Sequence, residues 1–183
     1  NLPSVPAEME GVRILRGIET NITSTSGTLD LQDEYLLRLD IVLVGLHFDT
    51  GLTRSEIQSN TKAVVKAMES GKVDIIVHPG NPQWPLDYEM LVQCAKSNNV
   101  ALELNNSSFF GSRKGSDENC KLILDLAVKH EIYISLGSDS HIADNIGNLG
   151  IVEKMIEGVN YPAEKILNSD ESILNSFLAR RHL

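Results

Sequence analysis

Ile132-Tyr133-Ile134-Ser135-Leu136-Gly137-Ser138-Asp139-Ser140-His141 decides how this chain is read. An apolar, largely β-branched run enters a glycine, and an aspartate and a histidine follow two residues apart. The run predicts a buried strand with Gly137 as its exit. Just past a strand, residues two apart point to the same side, so Asp139 and His141 can converge on one point. Carboxylate oxygen with imidazole nitrogen suits zinc, manganese or iron. Taken alone, the pair is better read as a turn aspartate beside a solvated histidine. The same construction recurs earlier in the chain, and the recurrence shifts the balance.

Working outward, Val100-Ala101-Leu102-Glu103-Leu104 predicts a strand leading into Asn105-Asn106-Ser107-Ser108. Val73-Asp74-Ile75-Ile76-Val77 predicts another, ending at His78 before the turn Pro79-Gly80-Asn81-Pro82. Asp40 to Leu46 predicts a third, ending at His47, and Val12 to Ile18 a fourth, followed by Glu19. Residues 1–11 read as a loop, and residues 20–30 as turns or a small hairpin. Helices are expected over about 32–38, 54–69, 87–98, 117–130, 148–157 and 170–181, with Thr53 and Ser116 as caps and Gly71 as a stop. The strands are continuously apolar and alternate with helices, the pattern of a parallel sheet covered by helices.

Composition narrows the function. The chain has 183 residues, 42% hydrophobic and 22% charged, enough for one domain with its own core, and no linker divides it. A net charge of −9 without a basic run argues against nucleic-acid or anionic-membrane binding. Neither a transmembrane-length apolar segment nor a signal start is present. Two cysteines far apart, Cys94 and Cys120, fit a reduced cytoplasmic protein with both thiols as buried filler.

Parallel sheets and barrels place function at the C-terminal ends of their strands. Glu19, His47, His78, Asp139 and His141 all fall at such ends. Three imidazoles and two carboxylates on one rim match a catalytic metal site of one or more ions. His130 and His182 read as surface histidines near helix ends, Asp74 as a turn residue and Glu103 as a paired core carboxylate. Arg113 and Lys114 lie in a polar loop entering a helix, where two cations can hold a phosphate or simply be solvated.

Arg16-Gly17-Ile18-Glu19, Val77-His78-Pro79-Gly80-Asn81-Pro82, Leu102 to Ser108 and Gly137-Ser138-Asp139-Ser140-His141 resemble the PHP (polymerase and histidinol phosphatase) family. The resemblance is closest to its stand-alone probable phosphatases of the YcdX type, where Ser112-Arg113-Lys114-Gly115-Ser116 is also matched. It implies a distorted (βα)7 TIM-like barrel with a metal centre of up to three ions, zinc or manganese, that hydrolyses phosphoesters. By position, Glu19 bridges two metals, His47 and His78 complete the second metal's ligands, Asp139 binds the first and His141 the third. The family's opening His-x-His strand has no counterpart in residues 1–18. Five strands against seven suggest that the first two strand–helix units are absent.

The expectation is a metal-dependent phosphatase acting on a small phosphorylated substrate through metal-activated hydroxide, with Arg113 and Lys114 toward the substrate. A barrel lacking units would expose an edge near Val12 to Ile18 and self-associate through it. Two alternatives stay open: a catalytically incomplete metal-binding or scaffold fragment, and an amidohydrolase-like hydrolase acting on a C–N bond.

Overall fold

The computed structural model describes residues 4–179, so His182 lies outside the described residues. The N-terminal segment read as a loop forms a hairpin, β1 (Glu8–Met9) against β2 (Val12–Arg13), antiparallel. Its two turn residues, Glu10 and Gly11, have φ of 51° and 80°, the left-handed pair that a two-residue hairpin turn needs.

The main sheet contains β3 (Gly17–Asn21), β4 (Ile41–Gly45), β5 (Ile75–Ile76), β6 (Ala101–Asn105) and β7 (Ile134–Gly137). All neighbouring pairs are parallel, and the order β3-β4-β5-β6-β7 follows the chain. The helices are α1 (Asp33–Leu36), α2 (Ile57–Glu69), α3 (Tyr88–Asn98), α4 (Asp117–His130), α5 (Gly150–Val159) and α6 (Glu171–Leu178). One face of the sheet buries Val42, Val44, Ile76, Leu102, Leu104 and Ile134 against α2 to α5. Removing this apolar surface from water is the main stabilising term of the fold. The opposite face buries Ile75, Val77 and Ala101 under Leu167, Phe177 and Leu178, the last two from α6.

The sheet is open, and this corrects the expected barrel. Five strands with two distinct edges form a layered α/β architecture of the broad Rossmann- and flavodoxin-like class, although here the strands run in chain order. The TIM-like barrel, and with it the PHP-domain label, is not what these strands build. One edge is managed locally. Asn168 binds both the N–H and the C=O of Leu136, at 2.7 and 3.0 Å, and Ile166 bridges Ile134. This side-chain clamp occupies backbone groups of β7 that would otherwise face a free edge.

The strand boundaries also shift. The first strand of the sheet runs over residues 17–21, beginning five positions later than expected, because Val12 and Arg13 pair with Glu8 and Met9 instead. Glu19 therefore sits inside its strand, opposite Leu43. Only Ile75 and Ile76 of the apolar run from Val73 to Val77 are strand. Asp74, read as a turn residue, lies at a bend before β5 but is buried, and its carboxylate accepts the Val42 N–H at 2.7 Å. Cys120 is buried and Cys94 half-buried, both as free thiols.

Candidate metal centre

The register of the sheet creates the site. Glu19 lies level with Leu43 and Ile75 across β3, β4 and β5, so its carboxylate projects from the face opposite α2 to α5. His47 follows Gly45 by two residues, and His78 follows Ile76 by two. Three adjacent strands thus deliver three side chains to one point. His47 Nε2 lies 3.0 Å from Glu19 Oε1 and 3.0 Å from His78 Nε2, and His78 Nε2 lies 3.2 Å from Glu19 Oε1. The triangle is held from behind. Gly45 carries no Cβ; one built there would stand 2.6 Å from His47 Cε1, 2.8 Å from Val77 Cγ2 and 3.1 Å from His78 Cε1. The close approach of both rings to the end of β4 therefore requires glycine.

His78 adopts φ of 33°, a left-handed backbone rare for a residue with a side chain. Its N–H donates to Glu103 Oε2 at 2.7 Å, which holds the turn in that geometry. The turn continues through Asn81, whose N–H donates to His78 O at 3.1 Å, and Asn119 clasps it by donating to Gly80 O at 2.9 Å.

Electrostatics favour the ligand-competent states. Hydrogen bonds from His47 and His78 hold the Glu19 carboxyl well below the usual carboxylate range, so it is ionised. Burial, only partly offset by the Glu19 contact, pushes the His78 imidazole below its ordinary value and favours the neutral ring. Burial pushes Glu103 up to about 7 despite the bonds it accepts from His78 and Asn105.

The donor set fits a divalent ion. Two imidazoles with one carboxylate is an established catalytic zinc combination, and bonds of about 2.0–2.1 Å in a tetrahedral site separate donors by roughly 3.3 Å. The observed separations of 3.0–3.2 Å are close to that. Among the described residues this is the group whose donors, all within 4.8 Å of one another, could hold a metal.

The other expected residues stand around it. Asp139 and His141 line the same cavity, of about 270 Å³, together with Arg113, Asn81, Phe48 and Trp84. Asp139, at φ of 47°, is paired with the Arg113 guanidinium. The His141 side chain is 85% exposed, and its Nδ1 lies 3.0 Å from the Asp139 carbonyl. Lys114 is exposed and is not among the residues lining the cavity. His130 closes α4 against Glu89, 3.0 Å from Oε1. Asn21, Glu103, Gly45 and Gly137 were not identified as site residues from sequence. Their signal, polar or glycine positions inside or ending apolar strands, is too common to single them out without the register.

No family model matches the chain. Similarity to individual proteins is extensive. A protein named "Probable phosphatase" from Shewanella piezotolerans is 45% identical over 182 residues, covering 99% of this chain and 73% of the relative. Another of that name from Acetivibrio thermocellus is 42% identical over 181 residues, covering 99% and 74%. A chain in a solved structure titled "cryo-EM structure of archaeal Ribonuclease P with mature tRNA" matches 96% of this chain and 72% of its own length, with a TM-score of 0.63 and 18% identity, a likeness of fold alone. At the identity and coverage of the two phosphatase relatives, the chain belongs to the family of these probable phosphatases, a family of hydrolytic enzymes.

Proposed function

We propose that the protein is a metal-dependent phosphomonoesterase whose metal is held by Glu19, His47 and His78. The observation that carries this reading is the convergence of those three donors, from three neighbouring strands, within a cavity that also holds an arginine. A divalent ion, zinc or manganese by donor type, supplies water activation near neutral pH and Lewis-acid polarisation of a phosphoryl oxygen when bound.

The remaining work falls to the chain's own groups. Arg113 offers a guanidinium fork that matches two phosphate oxygens, and Asp139 keeps it turned into the cavity. As charge builds on the phosphoryl oxygens, a fixed cation in a recessed site stabilises it without reorganising. Ser116 Oγ donates to Arg113 O at 2.7 Å and so anchors the backbone that presents this arginine. Trp84 and Phe48, with ring centroids 5.5 Å apart, give the cavity an apolar wall that limits water. Asp139 and His141 are proposed as further metal-facing groups of the same rim. The substrate class is a small phosphate monoester.

Phosphate release from a simple phosphomonoester, with and without chelator, tests the reading. Activity is expected to vanish with chelator, return with zinc or manganese, and be lost in His78→Ala but not in Cys94→Ser. Turnover that resists chelation would overturn it. Arg113→Ala is expected to raise KM or lower kcat at unchanged metal content.

A further inference from the structure

The second ring nitrogen of His47 meets a side chain behind the triad. His47 Nδ1 lies 2.7 Å from Asn21 Oδ1. The amide of Asn21 is itself oriented, because its Nδ2 donates to Asp30 Oδ2. Asp30 is positioned in turn: Oδ1 accepts the Asn21 N–H at 3.0 Å and the Thr20 hydroxyl. The Asp30 N–H donates to Asn21 O at 3.1 Å, and the Ile22–Leu29 bridge closes the loop that brings residue 30 back beside β3.

The proton bookkeeping of this relay fixes one nitrogen of His47. An ionised carboxylate only accepts, so the Asn21 NH2 must face Asp30. The Asn21 carbonyl oxygen then faces His47, and since an amide oxygen also only accepts, His47 Nδ1 must carry the proton. A metal-ligating Nε2 is bare, which leaves the ring's one proton on Nδ1, and Nε2 is the atom that meets Glu19 and His78 at 3.0 Å.

We propose that Asn21 and Asp30 are positioning residues of the metal centre: the Asp30 carboxylate sets the Asn21 amide, which locks His47 as its Nδ1–H tautomer with Nε2 directed at the metal. Outer partners of this kind fix ring orientation and tautomer and change metal affinity about 10- to 100-fold when removed. The inference rests on the metal reading of Glu19, His47 and His78, but the Nδ1–H that His47 donates to Asn21 stands without metal.

The test has two arms on the purified protein. In the metal-free protein, long-range ¹H–¹⁵N NMR reports which nitrogen of His47 carries the proton. A protonated Nδ1 is expected in the wild type, and its partial or complete loss in Asn21→Ala. In the second arm, calorimetric titration with zinc and the visible spectrum of the cobalt-loaded protein report affinity and geometry. Asn21→Ala is expected to weaken zinc binding by about 10- to 100-fold and alter the cobalt bands. Asn21→Asp combined with Asp30→Asn, which keeps an acceptor toward Nδ1 and restores a donor between the two side chains, is expected to recover both. Asp30→Ala, which frees the amide to rotate, should fall between, and it remains informative if Asn21→Ala folds poorly. Wild-type His47 with no proton on Nδ1, or unchanged affinity in both Asn21→Ala and Asp30→Ala, would overturn the proposal. Failure of the wild type to bind zinc while His47 remains Nδ1–H would count against the metal reading and leave the relay standing.

Discussion

The Glu103 carboxylate and the absent side chain of Gly137 occupy one space: a Cβ on Gly137 would stand 1.8 Å from Glu103 Oε1 and 2.8 Å from its carboxyl carbon. β6 and β7 pair Glu103 with Ser135 and Asn105 with Gly137. The buried carboxylate thus leans over the glycine and reaches the N–H of His78 at 2.7 Å. Gly137→Ala should evict Glu103 and loosen the His78 turn. A loss of about 1–3 kcal/mol in stability is expected, as for overpacked cores, read by denaturant unfolding.

Glu103 itself separates charge from hydrogen bonding. Glu103→Gln keeps an acceptor for the His78 N–H and should cost little. Glu103→Leu leaves that buried N–H without its partner and should cost about 1–3 kcal/mol. Equal unfolding midpoints for the two variants would contradict the role given to this bond.

Gly45→Ala places a methyl group against both imidazoles, 2.6 Å from His47 Cε1 and 3.1 Å from His78 Cε1. The rings must move, so zinc affinity should drop by more than about 10-fold, the scale on which ligand misplacement acts. Titration of the variant with zinc checks this, and an unchanged Kd would show that the rings have room to shift.

Acid dependence should be traceable to Arg16 and Asp40. Asp40 Oδ2 accepts from the Arg16 N–H at 2.8 Å and from Nε at 3.0 Å. The Arg16 side chain, chiefly by hydrogen bonding, holds the Asp40 carboxyl below its ordinary value of 3.8. A depressed carboxylate stabilises the fold above its unfolded pKa, and the stabilisation is lost as pH falls through the folded value. Asp40→Asn should therefore be less stable than wild type near neutrality, with the difference shrinking below pH 3.8. Unfolding midpoints measured between neutrality and strong acid decide it, and a constant difference would refute the linkage.

The alternation of apolar runs and helical segments was legible from one-dimensional pattern, because burial on both faces of a parallel strand leaves a continuous apolar signature. The polar ends at His47 and His78 are local features of that kind, whereas the α3 cap Asp87, accepting the Met90 N–H at 3.0 Å, was not among the expected caps. Closure of the sheet was not legible. It depends on where strand edges end up, and the Asn168 clamp on β7 lies 32 residues from Leu136. The first strand was misplaced because Val12 and Arg13 satisfy a strand pattern equally well in a local hairpin. Residue types at strand ends pointed to Glu19, His47 and His78 as candidates, but only the parallel register brings the three donors to within 3.2 Å. The partners behind them, Asn21 with Asp30 and Glu103 with Gly137, act through space between different strands or across a loop. No periodicity within a single segment encodes such contacts, so tertiary structure alone decides them.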